Sequence, residues 1–166
     1  MKKAIILLPF IIILLASCTV KQQKPAAKVA SKINPTIWSE VKDSILFQLS
    51  VDKTAIVIGD TIHTRFVMKN VSGSERSLLF SSTKYVDFFV ADERTLVWVA
   101  FKGKGFLQVI KEVPLASGDS LFFEFNWAGD RMTGGHPILG KYYIFAEAYL
   151  VSGLIRTGRI PVYIID

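Results

Sequence analysis

One cysteine in 166 residues, Cys18, leaves no disulfide to cross-link a domain. Two histidines, His63 and His136, stand alone, and no cysteine–histidine metal spacing, nucleophile elbow, zincin helix or phosphate loop occurs. Acidic residues are scattered singly or in turns such as Asp92-Glu93 and Gly129-Asp130, where hydrogen bonding to local backbone accounts for them. Catalysis needs polar groups that converge, so this composition points away from an enzyme, with no catalytic residue, metal or cofactor expected. The apolar N-terminal run, Ala4 to Leu15, falls short of the roughly 20 residues a spanning helix requires, and Pro9 interrupts it. Large excess charge is also missing where it would matter. The formal net charge is +6, but from Val41 onward 14 Lys and Arg stand against 13 Asp and Glu, a net of +1. A nearly neutral domain has no electrostatic footprint for nucleic acid.

What is present begins with Lys2 and Lys3, continues through Ala4 to Leu15, and ends in Leu15-Ala16-Ser17-Cys18. This order of basic, apolar and small residues before a lone cysteine resembles the lipobox of bacterial lipoprotein signal peptides. The resemblance implies that residues 1–17 are removed and that Cys18 carries the lipid anchoring the chain to the cell envelope. Thr19 stands where an inner-membrane retention signal would have Asp, so the expected address in a two-membrane bacterium is the outer membrane. Residues 18–40 include Gln22, Gln23, Pro25, Ala26, Ala27 and Pro35 and read as a flexible tether with an r.m.s. span of roughly 25 Å. Ile33, Ile37 and Trp38 are the tether residues able to dock on the domain that follows.

Residues 41–166 form one domain by length. Short segments rich in Val, Ile, Phe, Tyr and Thr alternate with turn residues, which predicts strands near 45–51, 54–58, 61–69, 77–81, 85–91, 95–101, 106–112, 120–127, 141–151 and 155–165. Period-two patterning places Leu121, Phe123, Phe125 and Trp127 opposite Glu124 and Asn126, and Ile62, Phe66 and Met68 opposite His63, Arg65 and Lys69. The expected fold is an all-β, immunoglobulin-like antiparallel sandwich, with Trp98 and Trp127 in its core and Tyr142 at a tyrosine-corner position.

The order of several segments carries a resemblance. Gly59-Asp60 precedes a strand ending in Lys69-Asn70-Val71-Ser72. Tyr85 to Asp92, Val97-Trp98 and Gly105-Phe106-Leu107-Gln108 follow, then Leu115 to Ser120 leading into Leu121 to Trp127, and finally Gly140-Lys141-Tyr142. Together they resemble the BsuPI-type intracellular proteinase inhibitor domain, an immunoglobulin-like sandwich, over about Ile45 to Tyr149. The sequence departs from that pattern at Ser117, where proline is usual, in the glycine-free turn from Asp92 to Thr95, and in the long connection from Ala128 to Leu139.

The resemblance implies a non-catalytic module that binds another protein, either a peptidase or an envelope protein. For proteinase inhibition the candidate loop is Ala128 to Leu139, with Asp130, Arg131, Met132 and His136. Two other readings stand beside it, a structural accessory of the envelope and a periplasmic carrier for a small apolar ligand. In the strand after Gly140, Tyr142, Ile144, Ala146, Ala148 and Leu150 are assigned to the core. Tyr143, Phe145 and Tyr149 then face outward with Glu147, a row of aromatics that reads as a candidate binding face. The alternative is that the N-terminal segment around Trp38, or the loop from Ala128 to Leu139, folds over this row.

Overall fold

Alternating burial along the chain builds two sheets around one core. The computed structural model describes residues 36–134 and 138–166, so Cys18, most of the tether and His136 lie outside the described residues. The strands are β1 (Thr36–Lys42), β2 (Ile45–Val51), β3 (Ala55–Val57), β4 (Ile62–Asn70), β5 (Arg76–Phe80), β6 (Val86–Ala91), β7 (Leu96–Val99), β8 (Lys111–Leu115), β9 (Ser120–Trp127), β10 (Gly140–Leu150), β11 (Gly153–Arg156) and β12 (Ile160–Ile165). All pair antiparallel except β3 with β12.

The first sheet runs β1-β2-β4-β9. In β2 and β4 every second residue is buried, and these residues (Ile45, Phe47, Leu49 and Val51; Ile62, Phe66 and Met68) face the second sheet. Ladder pairing of the 62–69 and 120–127 segments is continuous from Ile62↔Trp127 to Lys69↔Ser120. The second sheet centres on β10, which pairs β12 and β11 along one side and β6 and β5 along the other; β7 adds to β6, β8 to β5 and β3 to β12. Trp127, Phe66, Phe80 and Phe88 fill the space between the sheets. The result is the all-β sandwich that the alternation predicts.

Trp127 and Tyr142 meet edge to face at 5.2 Å, and the Tyr142 hydroxyl donates to the Ile138 carbonyl at 2.6 Å. That bond to backbone four residues upstream is the tyrosine-corner arrangement. Trp98 stacks on Phe125 at 4.4 Å, bridging β7 and β9 across the sheets.

Three expectations are corrected. Residues 36–40 are not tether but the start of β1, because Trp38 pairs across from Leu49, packs against the core and lies so close to Gly158 that a methyl there would overlap its indole. Residues 106–110 form no strand. Thr83 N–H donates to the Leu107 carbonyl and Leu107 N–H to Thr83 Oγ1, both at 3.0 Å, which holds the segment across the sheet until β8 begins at Lys111. The 155–165 segment is two strands, because Thr157 Oγ1 accepts the Ala146 N–H at 2.9 Å and takes a ladder position from the backbone.

Candidate functional site

The connection after β9 is tied to the sandwich at both described ends. Asp130 accepts from the Trp98 indole through its carboxylate at 2.8 Å and from the Trp127 indole through its carbonyl at 3.0 Å. Its role is therefore tertiary rather than the local backbone bonding expected of a turn residue. Met132 N–H donates to the Val97 carbonyl at 2.9 Å, which leaves Arg131 and Met132 half-buried beside β7. His136 lies outside the described residues. Residues 130–132 thus pack against one end of the sandwich, and the buried Trp127 and half-buried Trp98 indoles depend on Asp130 for their acceptors.

Along the outer side of β10, Tyr143, Phe145, Glu147 and Tyr149 fall on one face, as expected, but the row is not an open aromatic patch. Phe145 is only 6 % exposed. Its ring stacks on Phe89 of β6 at 5.0 Å, and the guanidinium groups of Arg159 and Arg156 lie 5.3 and 5.9 Å from its centroid. Lys141 Nζ sits 5.0 Å above Tyr143, and Lys84 Nζ 4.9 Å above Tyr149. The covering groups come from neighbouring strands and turns of the same sheet, and each cation gains from the ring beneath it. A hydrogen bond with Tyr143 holds the Lys141 ammonium above the usual lysine range.

Beneath these cations two carboxylates face each other across the β6–β10 pair, Asp87 and Glu147. Both are buried, and each has a cation: Lys84 for Asp87, and Arg156 for Glu147 through Nε at 2.7 Å and Nη2 at 2.6 Å. Asp87 also accepts from Phe88 N–H at 2.9 Å and Phe101 N–H at 3.3 Å, so it pins the start of the β7–β8 connection. Tyr149 donates to Glu147 at 3.0 Å. Burial, then that hydrogen bond to a carboxylate, pushes its phenol well above the ordinary tyrosine value.

Residues 100–110 present a surface that strand-like patterning hid. Phe101, Leu107, Val109 and Ile110 are all exposed, Leu107 at 72 %. Phe106 rests edge-on against Phe101 at 5.8 Å, and Leu107 is held through both backbone groups by Thr83. The signal available in the sequence was Gly103-Lys104-Gly105, two glycines around a charge, which argues for a loop immediately before an apolar run.

His63, Asp92 and Asn70 have partners close by. His63 Nδ1 lies 2.8 Å from Asn126 Oδ1 across β4 and β9. Asp92 accepts from Thr95 N–H at 2.6 Å and Arg94 N–H at 2.8 Å, and these bonds hold its carboxyl below the usual range. Asn70 is fully buried. Its amide donates to the carbonyls of Ser74, Leu115 and Ala116, and its Oδ1 accepts from Ser72, fastening the turn after β4 to the one before β9. Among the described residues, no three His, Cys, Asp or Glu side chains gather as a metal ion would require.

A comparison with curated proteins finds no match. Among solved structures, β-glucosidase from Listeria innocua in complex with glucose is 13 % identical with a TM-score of 0.42, over 76 % of this chain and 17 % of that one. The alkylpurine DNA glycosylase AlkC of Pseudomonas fluorescens, bound to DNA containing an abasic site analogue, is 14 % identical with a TM-score of 0.40, over 70 % of this chain and 29 % of that one. The chain thus spans less than a third of either protein, and at these scores the likeness supports no conclusion about activity. The family model described as intracellular proteinase inhibitor matches residues 49–152, from β2 to the turn after β10. This span contains the Asn70 turn, the Asp87 strand and the Leu107 segment, and the chain belongs to the BsuPI family of intracellular proteinase inhibitors.

Proposed function

We propose that this protein is a proteinase inhibitor held at the cell envelope by a lipid on Cys18, and that residues 100–110 are the segment that contacts the peptidase. The inhibitor reading rests on the family match over residues 49–152. The choice of segment rests on Leu107, whose side chain is 72 % exposed while Thr83 fixes its backbone on both sides. A contact residue already ordered in the free protein loses less entropy on binding. The connection 128–139 is the weaker candidate, since Asp130 and Met132 are occupied in closing the sandwich. The anchor is supported by Lys2-Lys3, the apolar run to Leu15 and Ala16-Ser17-Cys18. It places the inhibitor outside the compartment in the family's name. A carrier for apolar ligands is the weaker reading: Ile45, Phe47, Leu78, Leu150 and Ile155 line an opening between the sheets, but large side chains fill the space behind it.

The test is inhibition of purified serine, cysteine and metallo-peptidases by the wild-type chain and two variants. Leu107→Asp is expected to weaken inhibition about thirtyfold or more, as for a truncated hot spot, and Arg131→Ala to change it little. The reverse order would move the contact to the 128–139 loop. Failure against every class would remove the inhibitor reading itself. Cys18→Ala should abolish incorporation of labelled palmitate; a labelled variant would remove the anchor.

A further inference from the structure

We propose that the free edge of β9 pairs with β9 of a second copy of this chain, joining the two four-stranded sheets across a twofold axis at Phe123. This goes beyond inhibition and does not depend on it.

A sheet edge presents unpaired N–H and C=O groups, and proteins ordinarily blunt such edges by shortness, charge, proline or a bulge. The other edges here follow that practice. β3 has three residues, β7 has four with a register shift between Val90 and Ala91, and β11 has four ending in Arg156. β8 carries Lys111, Glu112 and Pro114. β1 carries Glu40 and Lys42, and Trp38 folds it toward Gly158. β9 has none of these devices. It is eight residues long, pairs β4 without a register shift, contains no proline, glycine or lysine, and has one charge, Glu124, already answered by Arg65 at 3.4 Å.

Its free groups can be assigned. Asn70 N–H donates to the Asp119 carbonyl, and Asp52 N–H to the His63 carbonyl. By the alternation of antiparallel ladders, the backbone groups of Leu121, Phe123, Phe125 and Trp127 therefore face β4. Those of Ser120, Phe122, Glu124 and Asn126 face away, with no strand beside them among the described residues. The side chains of Leu121, Phe123 and Phe125 point to the core yet stay half-buried, as does Trp98 stacked against Phe125. An added strand would complete both the hydrogen bonding and the burial.

A second β9 fits this edge. In antiparallel pairing about Phe123, Phe122 lies opposite Glu124 of the partner subunit and Ser120 opposite Asn126 of the partner subunit. Every outward N–H and C=O of these four residues is then matched. On the inner side Phe123 meets its own symmetry mate and Leu121 meets Phe125 of the partner subunit, an apolar and aromatic set of cross-strand pairs. Glu124 does not face itself. Its neighbour is the Phe122 ring of the other copy, over which that copy's own Arg65 sits; within one chain the Arg65 guanidinium lies 4.1 Å from the Phe122 centroid. Two arginines and two glutamates alternate around the axis, and the charge balances. Such a self-complementary patch is what a twofold contact requires.

The test uses the full chain in membranes and in detergent. Phe123→Cys should give a disulfide-linked dimer on mild oxidation, because residues opposite each other at a non-hydrogen-bonded position have Cα atoms about 4.5 Å apart. Leu121→Cys should not link to itself, since four residues at about 3.4 Å each separate it from its symmetry mate. Co-expressed Leu121→Cys and Phe125→Cys should link. Where Cys18 carries its lipid it has no free thiol, and the chain without added cysteines measures any linkage through unlipidated Cys18. Glu124→Pro removes an outward N–H without touching the β4 ladder and should abolish linkage of Phe123→Cys, with circular dichroism unchanged; Phe122→Lys should do the same. Sedimentation of the chain without added cysteines should give a dimer, and of either blocking variant a monomer. A monomeric wild type, equal linkage at residues 121 and 123, linkage that survives both blocking variants, or an extended peptide bound to β9 of a monomer would each overturn the proposal.

Discussion

β9 and β10 carry aromatic residues at alternate positions, but their burial inverts what the faces imply. In β9, Phe123 and Phe125 point into the sandwich and remain half-exposed. In β10, Phe145 points away from it and is only 6 % exposed. The difference lies in sheet order. Among the described residues β9 has one neighbouring strand, β4, so solvent reaches its rings from the side. β10 lies between β6 and the β11–β12 side, and Phe89, Arg156 and Arg159 reach over Phe145 from both. Alternation decides which way a side chain points, and lateral neighbours decide how much water it sees.

The largest effects should come from testing that inversion directly. Phe145→Ala is expected to cost about 3–5 kcal/mol, as for a buried aromatic in a close-packed site. Phe123→Ala should cost about half as much, although it is the one facing the core. Urea unfolding of both variants measures the difference, and an order reversed from this would mean that face outweighs neighbours. Next comes the anchor of β9. Asn70→Ala leaves the carbonyls of Leu115 and Ala116 without their amide donor and should cost about 2–4 kcal/mol. Hydrogen exchange should then rise first in Ser117 to Leu121, with the amides of β10 still protected.

A smaller effect is expected at high pH on the β10 side alone. The Tyr149 phenol is raised in the folded state, so its contribution is fully present below the ordinary value of 10.0 and is lost as pH rises beyond it, where only the unfolded chain ionises freely. Stability should fall above about pH 10 through this group, and Tyr149→Phe should flatten that limb in pH-dependent melts. The smallest effect is at the exposed face of β9. Phe122→Lys should change monomer stability by no more than about 0.5 kcal/mol, since the ring is half-exposed and its partner Arg65 is solvated. A large loss would show that Phe122 packs against more than Arg65.

How much was legible follows the same division. The segments 45–51 and 120–127 coincide with β2 and β9 because strict alternation and polar flanks mark both. The Asn70 turn, the Trp127 core position and the Tyr142 corner were also readable, since each depends on a residue type at a fixed place in a local pattern. β1 was not, because Ile37 and Trp38 stand side by side without alternation, and the run becomes a strand only with β2 beside it. Residues 106–110 look like a strand by composition, but Thr83, more than twenty positions away, takes both backbone groups of Leu107. Asp130 sits after glycine like an ordinary turn residue, and its carboxylate acquires its role from Trp98, which the chain brings near only on folding.

Alternation, turn residues and segment order are enough to assign an all-β sandwich of the BsuPI family, because each acts within a few positions along the chain. Packing sets which aromatics are covered, ties Asp130 and Met132 to the sandwich, and leaves β9 as an edge among the described residues. Those outcomes depend on strand order, and strand order is set by contacts between segments far apart in the chain, where a local pattern carries no information.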